Sequence, residues 1–242
     1  MAGALARGWG EPVLATDSGS GRAAALVKEV GGEVVASNAE LAERADVVML
    51  CHKPAGLEKV AKEIGDAAKV VVSVLAATSH AAVAEAYPKA TVFKAMPNLA
   101  VEVHRGITCW VAPDDADPEL AASVRELFER VGRVEELPEL QMDIATGTVG
   151  VSPAYLALIA EAQVDAAIKQ GLPSSVATDL VVEAIVGSAE LLRARGGDTL
   201  GVRRAVASPG GSTVRGLAVL ERAGIRVAFS DALEAVLGAR AK

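Results

Sequence analysis

The sequence predicts a doubly wound α/β domain followed by an all-helical domain. Short apolar and β-branched runs alternate with helical segments through residues 1–140, which is typical of parallel strands joined by crossover helices. From residue 142 onward the apolar positions follow a helical period almost throughout. Aromatic residues are only 3% of a chain that is 51% hydrophobic, a composition that suits helices packed on a parallel sheet or on each other. We therefore expect one domain in residues 1–140 and a second in residues 141–242.

Composition and charge argue against several classes of protein. The net charge of -7 argues against a nucleic-acid surface. The two cysteines, Cys51 and Cys109, form no Cys-x-x-Cys pair, and no secretory leader is visible, so we expect free thiols and a cytoplasmic location. The apolar stretch 46–50 is too short to cross a bilayer, so we expect no membrane role. The sequence suggests neither a metal-ligating cluster nor a Ser-His-Asp arrangement.

The chain opens on a helix. Residues 1–9 have helical composition, and the Gly-Glu-Pro that follows ends this helix before a strand at residues 13–16. A dinucleotide-binding domain normally opens instead with a strand and a G-x-G-x-x-G loop that binds the pyrophosphate, and no strand precedes this helix. We therefore expect the sheet to lack the strand that normally lies at its centre, and the chain to bind a dinucleotide weakly.

Two sets of residues after the first strand bear on the choice of nicotinamide cofactor. Asp17 ends the strand at residues 13–16, where a carboxylate accepts a hydrogen bond from the adenosine ribose 2′-hydroxyl of NAD. Ser18 and Arg22 come just beyond it, and small hydroxyls with an arginine would bind the 2′-phosphate of NADP. Both sets are present, so the choice between NAD and NADP stays open at this level.

The other predicted elements of the first domain continue the alternation of strands and helices. Ser37-Asn38 is expected to cap a helix at residues 39–44. Further helices are predicted at residues 23–30 and at residues 118–131, the latter with a stripe formed by Leu120, Val124, Leu127 and Phe128. Strands are predicted at residues 33–35, 46–51, 70–74, 92–98, 106–111 and 134–137. Ligands of such sheets bind at the carboxyl ends of the strands, so the residues after the strands are candidates for a site.

The strongest candidate site in the second domain is the stretch SPGGST at residues 208–213, which runs into an apolar-periodic helix at residues 214–223. We expect Ser208 to cap this helix, the proline to lie in its first turn, and the two glycines to let a ligand approach the backbone. The free N–H groups and the helix dipole favour a carboxylate or phosphate, and the hydroxyls of Ser212 and Thr213 add donors. The stretch therefore predicts an anion-binding site.

Residues 205–221, AVASPGGSTVRGLAVLE, closely resemble the signature of the pyrroline-5-carboxylate reductase family. The resemblance extends along nearly the whole chain. It includes the Lys-Pro turn at residues 53–54, the A-M-P-N turn at residues 95–98, the P-A-Y at residues 153–155 and the E-A-x-x-D-A pattern that ends in G-L-P at residues 161–173. Residues 1–5 resemble the tail of the family's phosphate loop, so by this resemblance the chain starts inside that loop.

The resemblance implies reduction of the cyclic imine 1-pyrroline-5-carboxylate to L-proline, in a homodimer or higher homo-oligomer with each active site at a seam between subunits. It implies that Thr213 is the catalytic residue, facing the ring nitrogen, and that the substrate is bound by Ser208, Gly210, Gly211, Ser212 and Thr213. The cofactor, NADP or NAD, is expected from the strand ends and the resemblance together to contact Asp17, Ser18, Arg22, Asn38, Cys51, His52, Lys53, Pro54, Ala76, Ala77 and Asn98.

Departures from the family's pattern keep other functions open. His52 stands where a small or apolar residue is usual, and Ala77 stands at a glycine position, where a positive φ would cost alanine about 1 kcal/mol or more. Val149, Val151 and Ser152 replace the Ser, Ser and Gly of the pattern. The same fold could thus act on another imine or a 2-hydroxyacid, or the chain could be a non-catalytic paralogue that has lost tight cofactor binding.

Overall fold

The structure is a computed structural model and describes residues 1–238. The chain divides into two compact units, Met1–Pro153 and Ala154–Lys242. The first unit has the doubly wound α/β architecture that the alternating pattern predicts, and the second is helical.

The first unit contains short strands separated by helices. Its strands are β1 (Val13–Ala15), β2 (Gly32–Val34), β3 (Val48–Leu50), β4 (Val70–Ser73), β5 (Thr91–Pro97), β6 (Gly106–Val111) and β7 (Gly132–Glu136). Its helices are α1 (Ala2–Trp9), α2 (Arg22–Val30), α3 (Asn38–Arg44), α4 (Leu57–Ile64), α5 (His80–Ala86), α6 (Pro118–Glu129) and α7 (Glu139–Val149). Single 3₁₀ turns occupy Pro54–Gly56 and Leu99–Val103. Every element predicted in this part of the chain is present, with ends displaced by at most two residues.

The strands form two sheets rather than one. β1 pairs in parallel with β2, and a second sheet has the order β3-β4-β5-β6-β7. Among the described strands, β1 and β3 are not paired, which agrees with the expectation that a central strand is missing from the sheet. Within the larger sheet only the β5–β6 pair is antiparallel. The 3₁₀ turn between β5 and β6 is too short for the crossover that a parallel pair requires.

Apolar clusters cover both faces of the larger sheet. One face carries the stacked rings of Phe93 and Trp110, whose centroids are 5.1 Å apart, with Phe128 of α6 against them. The other face carries Val71 of β4, which packs among residues of α3, α4 and α5, including Val83 of α5. The predicted stripe on α6 is confirmed as core, since Val124 and Phe128 are buried and Leu120 and Leu127 pack against the same cluster.

The second unit has little core of its own. Its helices are α8 (Ser152–Lys169), α9 (Ser174–Ala194), α10 (Thr199–Val206), α11 (Ser212–Arg222) and α12 (Ile225–Gly238), and the predicted breaks at residues 171–173 and 195–198 are both present. Tyr155 and Phe229 meet edge to face with ring centroids 6.2 Å apart. Among residues 154–238 only Ala177 is buried. Many large apolar side chains of these helices are therefore exposed in the single chain.

Helix α7 belongs with the first unit by its packing, although the sequence-based boundary between residues 140 and 141 assigns nearly all of it to the helical domain. Met142 is buried and packs with Met96 of β5 and Cys109 of β6. The helical period of this segment carries no information about its neighbour, so its contact with the strands was not visible in the sequence.

The segment Glu139–Lys169, which comprises α7 and α8, meets the length and composition criteria for crossing a membrane, because an 18-residue window of it has a mean hydropathy of 1.3. Of that window, 17% is buried. The sequence-based expectation of no membrane role considered only the shorter apolar stretch at residues 46–50 and overlooked this one. A single helix of this kind is weak evidence, and its first half, α7, packs on β5 and β6. The absence of a membrane role stays a prediction.

Candidate functional site

Asp17, just past β1, organises the loop that leads into α2. Its Oδ1 accepts hydrogen bonds from the N–H groups of Gly19 (2.7 Å) and Ser20 (2.9 Å), and its Oδ2 accepts from the Ser20 hydroxyl (3.0 Å) and the Ala23 N–H (2.8 Å). These hydrogen bonds, led by that of Ala23, lower the pKa of Asp17 from 3.8 to about 2, so the side chain is ionised at neutral pH. A carboxylate has about four acceptor positions, and these four donors fill them.

The rest of this loop presents hydrogen-bond donors to solvent. Ser18, Ser20 and Arg22 are all exposed, and the Arg22 Nε donates to the Ser20 hydroxyl oxygen (3.1 Å). The Nη groups of Arg22 make no hydrogen bond to any residue in the range 1–238. The loop therefore offers a guanidinium and hydroxyls to an anion, while the Asp17 carboxylate is occupied by the loop itself. Ser20 was not among the predicted cofactor residues, because only its bonds to Asp17 and Arg22 distinguish it from the other small residues of the loop.

Ser37 caps α3 as predicted, whereas Asn38 does not. The Ser37 hydroxyl oxygen accepts a hydrogen bond from the Glu40 N–H (3.1 Å). Asn38 is the first residue of the helix, and its Nδ2 donates to the Glu63 Oε2 (2.5 Å). The Asn38 amide thus links α3 to α4 on the exposed surface.

Four of the predicted cofactor residues, at positions 51–54, follow one another directly after β3. Burial raises the pKa of the Cys51 thiol to about 11, so this cysteine is an unreactive packing residue. His52 donates from Nδ1 to the Lys53 carbonyl (2.8 Å), and its buried Nε2 has no hydrogen-bond partner within residues 1–238. Lys53 is exposed, and Pro54 opens the 3₁₀ turn that leads to α4.

The turn after β4 carries backbone strain at Ala77, where the resemblance led us to expect glycine. Ala76 and Ala77 are exposed, and Ala77 has a φ of 53°, in the left-handed region. The Thr78 hydroxyl donates to the Ala76 carbonyl (3.3 Å) and holds this turn. The conditional expectation that alanine is strained here is therefore confirmed.

Replacing Ala77 with glycine should stabilise the protein by about 0.5–1 kcal/mol. The left-handed conformation costs a residue with a Cβ about 1–2 kcal/mol, and the greater backbone entropy that glycine loses on folding offsets part of the gain. The measurement is the midpoint of thermal unfolding. Ala76→Gly is the matched control, because the φ of Ala76 is not positive, and it should lower the midpoint. A lower midpoint for Ala77→Gly would contradict the assignment of strain.

Asn98 follows β5, and the fold occupies its side chain. Its Oδ1 accepts a hydrogen bond from the Ile107 N–H (3.2 Å) at the start of β6, and its Nδ2 donates to the Val149 carbonyl (3.3 Å) at the end of α7. The residue is 7% exposed. Asn98 thus fixes three elements at the carboxyl edge of the sheet, and its amide is not directed to solvent.

An ion pair that the sequence did not reveal fixes the beginning of α7. Lys94 lies in β5 and is 4% exposed, and its Nζ is 3.0 Å from the Glu139 Oε1. The same oxygen accepts a hydrogen bond from the His80 N–H (3.0 Å) at the start of α5. A lysine in an apolar strand shows no pattern that identifies a partner 45 residues away.

The stretch at residues 208–213 forms a β-turn followed by a helix. The Gly211 N–H donates to the Ser208 carbonyl (2.9 Å), and Gly210 has a φ of 72°. With proline second and a positive φ third, this is a type II turn. The prediction that Ser208 caps the helix is wrong, because α11 begins at Ser212 with Gly211 as its N-cap. Likewise the proline belongs to the β-turn and not to the helix.

The start of α11 has the properties of an anion site. No side chain caps it, so the N–H groups of its first turn, including those of Ser212 and Thr213, have no acceptor within the helix. Both side chains are exposed. Arg215, which the sequence reading overlooked, donates from Nη1 to the Gly210 carbonyl (2.8 Å) and adds a positive charge. Among the described residues, 1–238, no group of three or more His, Cys, Asp or Glu side chains could hold a metal ion.

Two family profiles match the chain. One described as "Pyrroline-5-carboxylate reductase dimerisation" matches residues 139–242. The other, described as "NADP oxidoreductase coenzyme F420-dependent", matches residues 1–77.

Similar proteins and structures carry the same family name. A pyrroline-5-carboxylate reductase of Synechocystis sp. is 34% identical over 227 residues, which are 93% of this chain and 85% of that protein. One of Thermus thermophilus is 38% identical over 192 residues, which are 79% of this chain and 73% of that protein. The crystal structure of 1-pyrroline-5-carboxylate reductase from Streptococcus pyogenes has a TM-score of 0.89 at 26% identity and covers 99% of this chain and 94% of its own. The Plasmodium falciparum enzyme with NADP bound has a TM-score of 0.87 at 26% identity and covers 98% of this chain and 92% of its own.

Proposed function

The chain belongs to the pyrroline-5-carboxylate reductase family, and we propose that it reduces 1-pyrroline-5-carboxylate to L-proline with a reduced nicotinamide dinucleotide. The observation that carries the proposal is the uncapped start of α11 behind a type II turn, because it supplies N–H donors and a nearby arginine for the carboxylate that this substrate bears. A cytoplasmic location fits the two free cysteines, Cys51 and Cys109.

The substrate carboxylate would lie on the first turn of α11. The positive φ of Gly210 turns the backbone so that the helix begins two residues later, and neither Gly210 nor Gly211 carries a Cβ that would block a ligand. The N–H groups of Ser212 and Thr213 are then available to the carboxylate. Ser208 would close the β-turn through its carbonyl oxygen, and its hydroxyl would not bind the substrate.

The Thr213 hydroxyl would hydrogen-bond the ring nitrogen of the imine. When bound, the nicotinamide supplies a hydride to the C=N carbon. Electron density then moves onto the nitrogen, and a hydroxyl fixed beside that atom stabilises the change or passes a proton to it. Because Thr213 is the second residue of α11, its position is set by the same helix start that binds the carboxylate.

The residues after β1 fit NADPH better than NADH. The four donors to Asp17 leave little acceptor capacity for a ribose hydroxyl, whereas Ser18, Ser20 and Arg22 present donors suited to a 2′-phosphate. We therefore assign the 2′-phosphate to this loop and give Asp17 the role of holding the loop.

Replacing Arg22 with alanine should raise the KM for NADPH about tenfold and leave the KM for NADH unchanged. The guanidinium contact to phosphate is charge-assisted and is worth about 1.5–3 kcal/mol, reduced here by exposure to solvent. Steady-state kinetics with each cofactor measure the effect. Lys28→Ala removes the same charge from the same helix at an exposed position and serves as the control. An equal loss with both cofactors would place the 2′-phosphate elsewhere.

Some of the other predicted cofactor residues would contact the cofactor directly, and others would hold in place the backbone that contacts it. Lys53 and Pro54, with the backbone of Cys51 and His52, would border the cofactor at the end of β3, and Ala76 and Ala77 would do so at the end of β4. Asn98 would act through the backbone that its amide holds in place, since both ends of the side chain are bonded within the fold. Asn38 would reach the adenosine end only by exchanging its contact with Glu63.

We propose that the helical half forms a homodimer. Leu158 is 65% exposed, Leu180 57% and Val227 62%, and surfaces of this kind are normally covered by another subunit. The match of residues 139–242 to a dimerisation profile supports this assembly. Sedimentation at micromolar concentration should give at least twice the chain mass. A stable, folded monomer would contradict the proposal.

The proposed activity is tested with the purified chain, NADPH and a panel of substrates. We expect consumption of NADPH that depends on 1-pyrroline-5-carboxylate and yields L-proline, because this substrate combines the carboxylate with the ring imine that the site requires. Faster turnover of another imine or of a 2-oxoacid would support a change of substrate within the same fold. Binding of NADPH without turnover of any of them would support a non-catalytic paralogue.

A further inference from the structure

A cavity of about 270 Å³ lies beside the beginning of β5, lined by residues of α5, the loop before β5 and the loop after β6. It shares His80, Pro113 and Asp115 with a neighbouring cleft of about 720 Å³ that reaches the start of α7. Thr91 and Val92 line the cavity at the amino end of β5, whereas the proposed cofactor edge begins at Asn98, roughly 20 Å along the strand at 3.3 Å per residue. The cavity is therefore separate from the proposed cofactor site.

Tyr87 gives the cavity a buried polar group that lacks a partner. The residue lines the cavity and is 2% exposed, and its hydroxyl has no hydrogen bond to any described residue from 1 to 238. Burial raises the pKa of this phenol to about 12, so it is neutral and can donate or accept one hydrogen bond at neutral pH. A buried hydroxyl without a partner is destabilising, and a ligand with a polar group would supply the missing hydrogen bond.

The other polar groups at the cavity are mainly hydrogen-bond acceptors. The His80 Nε2 donates to the Val92 carbonyl (2.8 Å), which leaves Nδ1 as an acceptor in the neutral ring. The Asp115 carboxylate is exposed where the cavity meets the cleft. Glu139 lies in the wall of the cleft beside His80, and its Oε2 is buried without a partner in the described residues. The Lys94 ammonium is bound to the other oxygen of Glu139, 3.0 Å away, and so does not neutralise Oε2 through a hydrogen bond.

The charged side chains that line the adjoining cleft are likewise negative. Its wall includes Asp114, Asp115, Glu136 and Glu139, of which Glu136 is paired with Arg125 (3.2 Å) and Glu139 with Lys94 (3.0 Å). The remaining wall of the smaller cavity is mostly apolar, with Val92, Pro88 and Pro113 as its largest apolar members. A ligand that fits both surfaces has a cationic donor group on a short apolar body.

We propose that this cavity binds a small organic cation, a primary ammonium group on a short alkyl chain. The ammonium donates to Asp115 and to the Glu139 Oε2, and the alkyl chain packs on the prolines, with the Tyr87 hydroxyl bonded to the polar group at its far end. The volume of about 270 Å³ holds a chain of a few carbon atoms. This site does not depend on the proposed reductase activity.

The test uses the full chain and 1,4-diaminobutane as the probe, with 1,4-butanediol as its neutral counterpart, in calorimetric titrations at low salt. We expect saturable binding of the diamine that is at least tenfold tighter than that of the diol and unchanged by saturating NADPH. Asp115→Asn should weaken the diamine about tenfold and Tyr87→Phe about fivefold. Glu43→Gln, which removes an exposed carboxylate on α3, should have no effect.

Several outcomes would overturn the proposal. These are the absence of saturable binding, equal binding of diamine and diol, or binding that Asp115→Asn leaves unchanged. Asp115 is exposed, so its variant tests the site even if Tyr87→Phe lowers the melting temperature. Competition between the diamine and NADPH would also contradict it, because the cavity would then belong to the cofactor site.

Discussion

Replacing Thr213 with valine should lower both kcat and kcat/KM for 1-pyrroline-5-carboxylate by at least tenfold. Valine keeps the shape of threonine and removes the hydroxyl that the proposed mechanism places beside the ring nitrogen. A hydrogen bond made in the transition state is worth about 1.4 kcal/mol or more, which corresponds to this factor. Steady-state kinetics at saturating NADPH measure it, and the KM for NADPH should not change.

Thr213→Ser provides the matched control. It keeps the hydroxyl at the second position of α11, so we expect its kcat to stay within about threefold of the parent. Thr213 is exposed, so neither variant should lower the melting temperature appreciably. A fall of less than tenfold in Thr213→Val, or an equal fall in Thr213→Ser, would show that the hydroxyl does not act on the nitrogen.

Replacing Glu139 with leucine should lower the free energy of unfolding by about 3 kcal/mol. The change leaves the Lys94 ammonium, which is 4% exposed, without the carboxylate 3.0 Å away, and breaking a buried ion pair from one side costs about 3–5 kcal/mol. Because the Glu139 side chain is itself 37% exposed, we place the effect at the lower end of this range. Urea unfolding followed by circular dichroism gives the value.

The double variant Lys94→Met, Glu139→Leu separates loss of the pair from loss of packing. Removing both charges should restore most of the stability, since an apolar pair of similar volume has no desolvation penalty. Glu136→Leu is a control on the preceding strand, where the carboxylate is exposed and pairs with Arg125, and it should change the free energy by less than about 1 kcal/mol. Additive losses in the double variant would show that the two residues are not coupled.

The sequence correctly predicts local structural features that depend on residues close to one another in the chain. The strand at residues 106–111, the stripe on α6 and the Ser37 cap depend on periodicity or on contacts within one turn, and all three are present. The strain at Ala77 was a conditional expectation that came from the family resemblance, which places glycine at this turn, and the positive φ of Ala77 meets the condition.

Features that depend on distant residues or on the detail of a turn were not predicted. Ser208 looked like a cap because serine precedes a helical pattern, but the proline and Gly210 close a type II turn first and delay the helix to Ser212. The contact of α7 with β6 and the Lys94–Glu139 pair join segments far apart in the chain. The two readings of Asp17 could be distinguished only by counting the donors around its carboxylate.

The central claim is that a nicotinamide delivers hydride to an imine held at the start of α11. The most direct measurement supplies 1-pyrroline-5-carboxylate and NADPH with deuterium at its transferable position, and follows the product by mass spectrometry and NMR. The account predicts L-proline that carries one deuterium on the ring carbon formerly double-bonded to nitrogen, with one proline formed for each NADPH consumed. Proline without deuterium, or oxidation of NADPH without proline, would contradict it.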